Sequence, residues 1–162
     1  MRTESLGSLV EVCDKGRRQV PKRDRRKGPY PYCGAGGPVE NVDSFTHEGS
    51  YLLLASVGSG LGPKKKSAYL MKGKFHASTN VHVLKAKAEV DPVYLMHYLN
   101  WADLTKYAQG AAMLALNATA LTAIPVPLPT LEEQKKMVKD IESLSEEEAS
   151  SLMDKLFRTE TQ

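Results

Sequence analysis

Long apolar runs are missing from this 162-residue chain. No stretch approaches the roughly 18 consecutive apolar residues of a membrane-spanning helix, and MRTESLGSLVEV at the start has neither the charged nor the apolar zone of a secretory signal. A soluble, cytoplasmic protein without a membrane partner is expected. Cysteine is scarce too: Cys13 and Cys33 stand apart, with no CxxC and no histidine at zinc-finger spacing beside them. They read as two small thiols filling space in a reducing compartment, with a disulfide as the alternative and no structural metal. Catalytic signatures are also lacking. His47, His76, His82 and His97 make no HExxH or H-x-E pattern, Ser56, Ser59 and Ser67 occupy no GxSxG elbow, and no methyltransferase motif of the DPPY kind is present. The loop VGSGLGPKKK (57–66) misses the GxxxxGK[ST] spacing and has no helix after it. No catalytic residue and no cofactor is expected, and the chain reads as a non-enzyme.

What is present is a pronounced charge asymmetry. Residues 1–31 carry nine Lys/Arg against four acids, a net charge of +5, whereas residues 132–162 carry five bases against nine acids, a net charge of −4. The front of the chain would attract a polyanion and the tail would not. KGRRQVPKRDRRKG (15–28) could be a solvated loop and nothing more, but Lys64, Lys65 and Lys66 form a second basic cluster, and two clusters need a common reason. Lysines beside glycine-rich backbone suit contact with a phosphate backbone.

Along the chain, Leu6, Leu9 and Val10 are spaced for a short amphipathic helix or turn ended by Gly16. GPYPYCGAGGP (28–38) is too rich in Gly and Pro for regular structure. YLLLAS (51–56), SAYLM (67–71) and VHVLK (81–85) read as strands of an antiparallel or mixed sheet. Asp91 and Pro92 open a helix as N-cap and first helical residue, and residues 102–109 read as a partner helix, with Trp101 packing at the junction. Asn117 caps a short helix. IPVPLP (124–129) is a strand that its prolines confine to an edge, and it runs directly into a helix opened by Thr130 and Glu133 as a capping box. Leu131, Gln134, Val138, Ile141 and Ser145 form a narrow stripe on that helix, like a coiled-coil seam, with Leu144 beside it. Ser145 and Glu148 repeat the capping pattern, so the helix is expected to break and restart through Leu152, Leu156 and Phe157. Those apolar faces call for a partner, or for the second segment to fold back as a helical hairpin.

Taken in order, the pieces resemble the specificity subunits of type I restriction–modification systems, in a half-length form with one target recognition domain and one spacer helix. LGSLVEVCDKG (6–16), YPYCGAGGPVENVDSF (30–45), GSYLLLASVGSGLG (49–62), KGKFHASTNVHVLKAK (72–87) and VDPVYLMHYLN (90–100) follow the family's sequence order. IPVPLPTLEEQ (124–134) is similar to its proline-punctuated junction with the spacer helix. The resemblance implies an α+β fold: a small mixed or antiparallel β-sheet with packed helices over residues 1–129, the DNA-binding recognition domain. A C-terminal helix or helical hairpin over residues 130–162 would then serve spacing and dimerisation.

It also implies binding to double-stranded DNA, with catalysis left to a DNA methyltransferase (modification) subunit and, in complexes that cleave, a restriction subunit. Candidates for phosphate contact are Arg17, Arg18, Lys22, Arg23, Arg25, Arg26, Lys27, Lys64, Lys65 and Lys66. Candidates for base reading are the loop side chains Tyr32, Ser59, Thr79, Asn80 and His82, the last equally readable as a buried hydrogen-bonding histidine. The family's usual subunit carries two recognition domains and two spacers, whereas no internal repeat is present here. A homodimer formed through Leu131, Val138, Ile141, Leu144, Leu152 and Leu156 would restore the twofold arrangement. The alternative is a structural or assembly protein that retains the recognition-domain fold without reading sequence.

Overall fold

Tyr51, Leu52, Leu53 and Leu54 show no alternation of polar and apolar residues, which asks for a strand covered on both faces. The computed structural model, which describes residues 1–161, meets that demand with helices on one side of a sheet and a curl of the same sheet on the other. The elements are β1 (Arg2–Ser5), α1 (Leu6–Leu9), β2 (Val10–Val12), β3 (Tyr30–Gly34), β4 (Gly37–Val42), β5 (His47–Ala55), β6 (Ala68–Ala77), β7 (Val81–Ala86), α2 (Pro92–Trp101), α3 (Ala118–Thr122), β8 (Pro125–Leu128), α4 (Leu131–Glu142) and α5 (Glu146–Thr161). Gln162, the last residue of the expected helical unit, lies outside the described residues. Six strands form a mixed sheet in the order β2-β7-β5-β6-β3-β4, and β1 pairs with β8 in a separate antiparallel ribbon. The fold is thus α+β.

The path of β5 determines the shape. β6 and β7 both run antiparallel to it, on its two sides, yet only residues 78–80 connect them. So few residues cannot travel back along a flat strand of that length. The sheet curls instead: Thr46, just before β5, accepts from the Ala77 amide, while Ser56, just after it, donates to the Thr79 and Asn80 carbonyls. Both ends of β5 therefore converge on one turn. The bend lies at Gly49 and Gly73, which face each other across β5 and β6 with φ of 140° and 95°, values that favour glycine. Leu52, Leu54 and Leu84 then bury toward the helices, and Leu53, Phe75 and Val83 bury inside the curl.

Residues 28–38, expected to be irregular, instead supply the β3–β4 hairpin. Its prolines are tolerated because β4 is the sheet's edge strand and the register shifts between Tyr32 and Cys33, opposite Pro38. The first apolar segment is a strand, one helical turn and another strand rather than a single helix, although Leu6, Leu9 and Val10 are buried. The expected partner helix over 102–109 shrinks to a 3₁₀ turn, Leu104–Tyr107, because Ala102 is extended and Asp103 caps the turn through the Thr105 amide. Cys13 and Cys33 are both free, and burial pushes the Cys33 thiol up to about 11.

The proline-rich strand β8 lies at an edge, paired only with β1. Its prolines offer carbonyls and no N–H groups: Pro127 accepts from the Tyr94 hydroxyl at 2.6 Å and Pro125 from that of Tyr98 at 3.0 Å. Thr130 and Glu133 then form the capping box of α4. Gln134, fully buried one turn in, accepts from the Asp91 amide and donates to the Glu89 and Pro129 carbonyls, tying the start of α4 to the cap of α2.

The chain breaks at residues 143–145, Ser145 and Glu148 cap the restart, and α5 folds back against α4, α2 and β8. Phe157 inserts among Tyr94, Tyr98 and Trp101, with ring centroids 5.2 to 6.0 Å apart. Trp101 packs as expected, and its indole N–H donates to Asp154 at 2.8 Å. That bond, followed by the one from Lys64, holds the Asp154 carboxyl below the usual carboxylate value. Among the described residues no helix is long and apolar enough to cross a membrane.

Candidate nucleic-acid interface

The basic N-terminal segment leaves β2 as a strap laid over the turn that joins β6 to β7. Cys13 donates its amide to the Val83 carbonyl, and Arg18 donates its own to that of Ala77. Arg17 reaches the Val81 carbonyl at 2.9 Å and the Thr79 carbonyl at 3.4 Å. Asp14 pins the strap to β7: its carboxylate accepts from the Val83 amide at 2.8 Å, lies 2.7 Å from His82 Nδ1 and pairs with Arg17 at 3.6 Å. Burial opposes ionisation of Asp14, but the hydrogen bonds from His82 and Val83 and the charges of His82 and Arg17 outweigh it, and the carboxyl sits below its ordinary value.

The far side of the turn is held equally well. Ser78 donates its amide to the Cys33 carbonyl, and Ser56 binds Thr79 and Asn80. Gln19, further along the strap, accepts through Oε1 from both the amide and the hydroxyl of Thr79, at 3.2 and 2.9 Å. A cavity of about 330 Å³ opens between strap, turn and hairpin, with Gln19, Lys22, Arg25, Tyr32, Ser78 and Asn80 among its lining.

The candidate cations separate into two kinds. Arg17 and Arg25 are structural: Arg17 clamps the turn, and Arg25 pairs with Glu40 at 3.0 Å, donates to the Val20 carbonyl and lies 4.1 Å over the Tyr32 ring. Lys22, Arg26 and Lys27 are exposed and make no ion pair among the described residues, Arg23 has only Asp24 at 3.9 Å, and Arg18 touches the Ser44 hydroxyl at 3.3 Å. Lys64, Lys65 and Lys66 lie elsewhere, where the amides of Lys64 and Lys65 donate to the Trp101 and Asn100 carbonyls at the end of α2. Lys64 pairs with Asp154 on α5 at 3.1 Å, whereas Lys65 and Lys66 are exposed. Lys64 lines a cavity with Trp101, Lys106 and Arg158, whereas Lys22 and Arg25 of the strap line the one with Tyr32 and Asn80.

The base-reading candidates divide likewise. Tyr32 is 2% exposed on β3, its hydroxyl bonded to Val20, and it walls the cavity rather than reaching out of it. His82 is on β7 and buried, between Asp14 and the Leu116 carbonyl at 2.6 Å, so it is a strand residue and not a loop one. Ser59 is exposed in the 3₁₀ turn Ser59–Leu61, and Thr79 and Asn80 sit on the held turn. Gln19 escaped the sequence analysis because nothing in a lone glutamine after two arginines announces that its amide will be fixed from sixty residues away. Asp14 was missed for the same reason.

Of the six residues expected to pair two chains, Ile141 is 3% exposed, Val138 and Leu156 pack against the core, and Leu152 is half-buried. Leu131 at 40% and Leu144 at 37% remain the most accessible. A larger cavity of about 580 Å³ lies on the helix side, lined by Leu52, Leu70 and Leu131 and rimmed by lysines, with no strap or turn residue in it. Among the described residues no group of His, Cys, Asp and Glu could hold a metal ion.

This architecture has known counterparts. The fold is similar to the type I restriction–modification S subunit of M. genitalium, with a TM-score of 0.68 at 15% identity over 88% of this chain and 38% of that one. It is also similar to the HsdS subunit of Thermoanaerobacter tengcongensis, with a TM-score of 0.63 at 15% identity over 96% and 39%. A third similar chain comes from a structure addressing complex assembly of the type I system, with a TM-score of 0.68 at 17% identity over 98% and 41%. In sequence, 140 residues are 31% identical to a putative type I restriction enzyme specificity subunit of Haemophilus influenzae, covering 86% of this chain and 36% of that one. The chain therefore spans little more than a third of the length of the relatives it matches. Residues 1–153 match the model of the type I restriction modification DNA specificity domain, and the chain belongs to that family.

Proposed function

We propose that this chain binds double-stranded DNA and selects its sequence on behalf of partner subunits that carry the chemistry, a DNA methyltransferase and, in complexes that cleave, a restriction subunit. The observation that carries this reading is the pairing of unbound cations with a held turn. Lys22, Arg23, Arg26 and Lys27 are exposed to meet phosphates, the same strap fixes Thr79 through Gln19 and Arg17, and the Ser56 amide holds the Asn80 carbonyl. Phosphate contacts of the first kind position a protein on the duplex, and side chains on fixed backbone of the second kind discriminate base edges. Family membership supports the same role. In this reading residues 1–129 do the recognition, and residues 130–162 pair two copies through the accessible Leu131 and Leu144 and the half-buried Leu152.

Selection of bound duplexes from a randomised pool tests the proposal. An enriched motif is the expected result. Salt-sensitive binding with no enriched motif would instead favour the structural or assembly role, and no binding at low salt would remove DNA from the account.

A further inference from the structure

The strap and turn present one polar side chain in a fixed orientation, and its free end has a definite chemistry. Gln19 Oε1 takes two hydrogen bonds, from the amide and the hydroxyl of Thr79, and so uses both lone pairs of an amide oxygen. Rotating the amide by half a turn would set Nε2 against the Thr79 amide, donor against donor, and forfeit that bond. Nε2, with its two N–H groups and no partner among the described residues, is therefore held on the opposite side of the amide from Thr79, beside the cavity of about 330 Å³. Thr79 is itself immobilised, since its carbonyl accepts from the Ser56 hydroxyl at 2.8 Å and its neighbour Ser78 is bonded to Cys33. Lys22 and Asn80 line the same cavity, and the Asn80 side-chain amide also has no partner among the described residues.

We infer that Gln19 is a specificity-determining residue whose fixed donor pair reads a base edge carrying only acceptors, the N7 and O6 of a guanine in the major groove. The inference rests on the DNA-reading function proposed above and goes beyond it by naming the side chain and the base. In the major groove a guanine edge offers two adjacent acceptors, whereas the adenine edge offers an acceptor and a donor, the cytosine edge a donor, and the thymine edge a single acceptor beside a methyl group. A donor-only group distinguishes these without any reorganisation, because its orientation is set before DNA arrives. Asn80, beside it and free to both donate and accept, supplies a second readout in the same cavity.

Gln19→Glu tests the inference cleanly, since the replacement keeps an oxygen for Thr79 and converts the outward donor pair to an acceptor in nearly the same volume. Bound duplexes are selected from a randomised pool by the wild-type chain and by the Gln19→Glu, Gln19→Ala and Lys22→Ala variants. The wild type should enrich a motif containing a guanine. Gln19→Glu should replace that guanine by a donor-bearing base and leave the other positions intact, and Gln19→Ala should lose preference there by about tenfold or more. Lys22→Ala should weaken binding to all sequences alike and leave the motif unchanged. A wild-type motif that survives intact in both Gln19 variants, with affinity lowered uniformly, overturns the inference and leaves the proposed function standing. A wild type that binds duplex and enriches no motif overturns both.

Discussion

Asp14 illustrates how one side chain can hold a surface together. It joins strap to strand through the Val83 amide, His82 and Arg17, and its carboxyl lies below the ordinary value. A carboxyl depressed in the folded state contributes stability that is present above its unfolded value and is lost as pH falls through the folded one. Thermal melting followed downward from pH 7 should therefore show a loss of stability below about pH 4 that is weaker in Asp14→Asn. At pH 7 the same variant should be less stable by about 3 kcal/mol, because Arg17 loses its counter-charge and the Val83 amide its charged acceptor in a largely buried site. Arginine identity, by contrast, was a poor guide to role. Arg17 and Arg25 stand in the same basic run as Arg23 and Arg26, but the first pair is consumed by carbonyls, Glu40 and the Tyr32 ring. Sequence reports the charge of a residue and not whether the fold has already neutralised it.

At the scale of elements, legibility followed the range of the interactions that define each one. The caps of α2, α3 and α4 depend on neighbours two or three residues away, so Asp91, Asn117 and Thr130 could be read directly. The strands β5, β6 and β7 were visible in their β-branched and leucine-rich runs, although the curl of the sheet was not. That curl comes from a cross-strand glycine pair whose register no local pattern reveals. The β3–β4 hairpin was hidden by its prolines, which are acceptable only because β4 is an edge and β3 is bulged. Gln134 shows the same limit: its place on the apolar stripe of α4 was clear, while its three buried hydrogen bonds to residues 89, 91 and 129 were not. Gln134→Ala should cost about 3 kcal/mol, since it strands one amide and two carbonyls. Denaturant unfolding measures this, and an effect below 1 kcal/mol would mean that the junction between β8 and α4 is held by something else.

On the scale of the whole molecule, the tail behaves as part of the core as well as a candidate pairing surface. Phe157, nearest the end of the buried set, fills the space between three aromatic rings of α2, so the second helix folds back instead of extending the first. Phe157→Ala should lower stability by about 3 to 4 kcal/mol, and calorimetry at fixed protein concentration would register it as a depressed Tm. Leu144 and Leu152 line a separate surface pocket, and in the proposed reading a second copy adds its contacts there. Leu144→Glu with Leu152→Glu should therefore shift a dimer toward monomer in sedimentation while leaving the Tm of the monomer nearly unchanged.

The charge asymmetry gives the molecule a cationic strap and an acidic tail, and the central claim is that the strap meets DNA. The most direct test is the salt dependence of duplex binding by the wild type and by a variant with Lys22, Arg23, Arg26 and Lys27 all replaced by alanine. If these four side chains neutralise phosphates, the slope of log affinity against log salt should become shallower by about 3 to 4. An unchanged slope, with binding retained, would contradict the account.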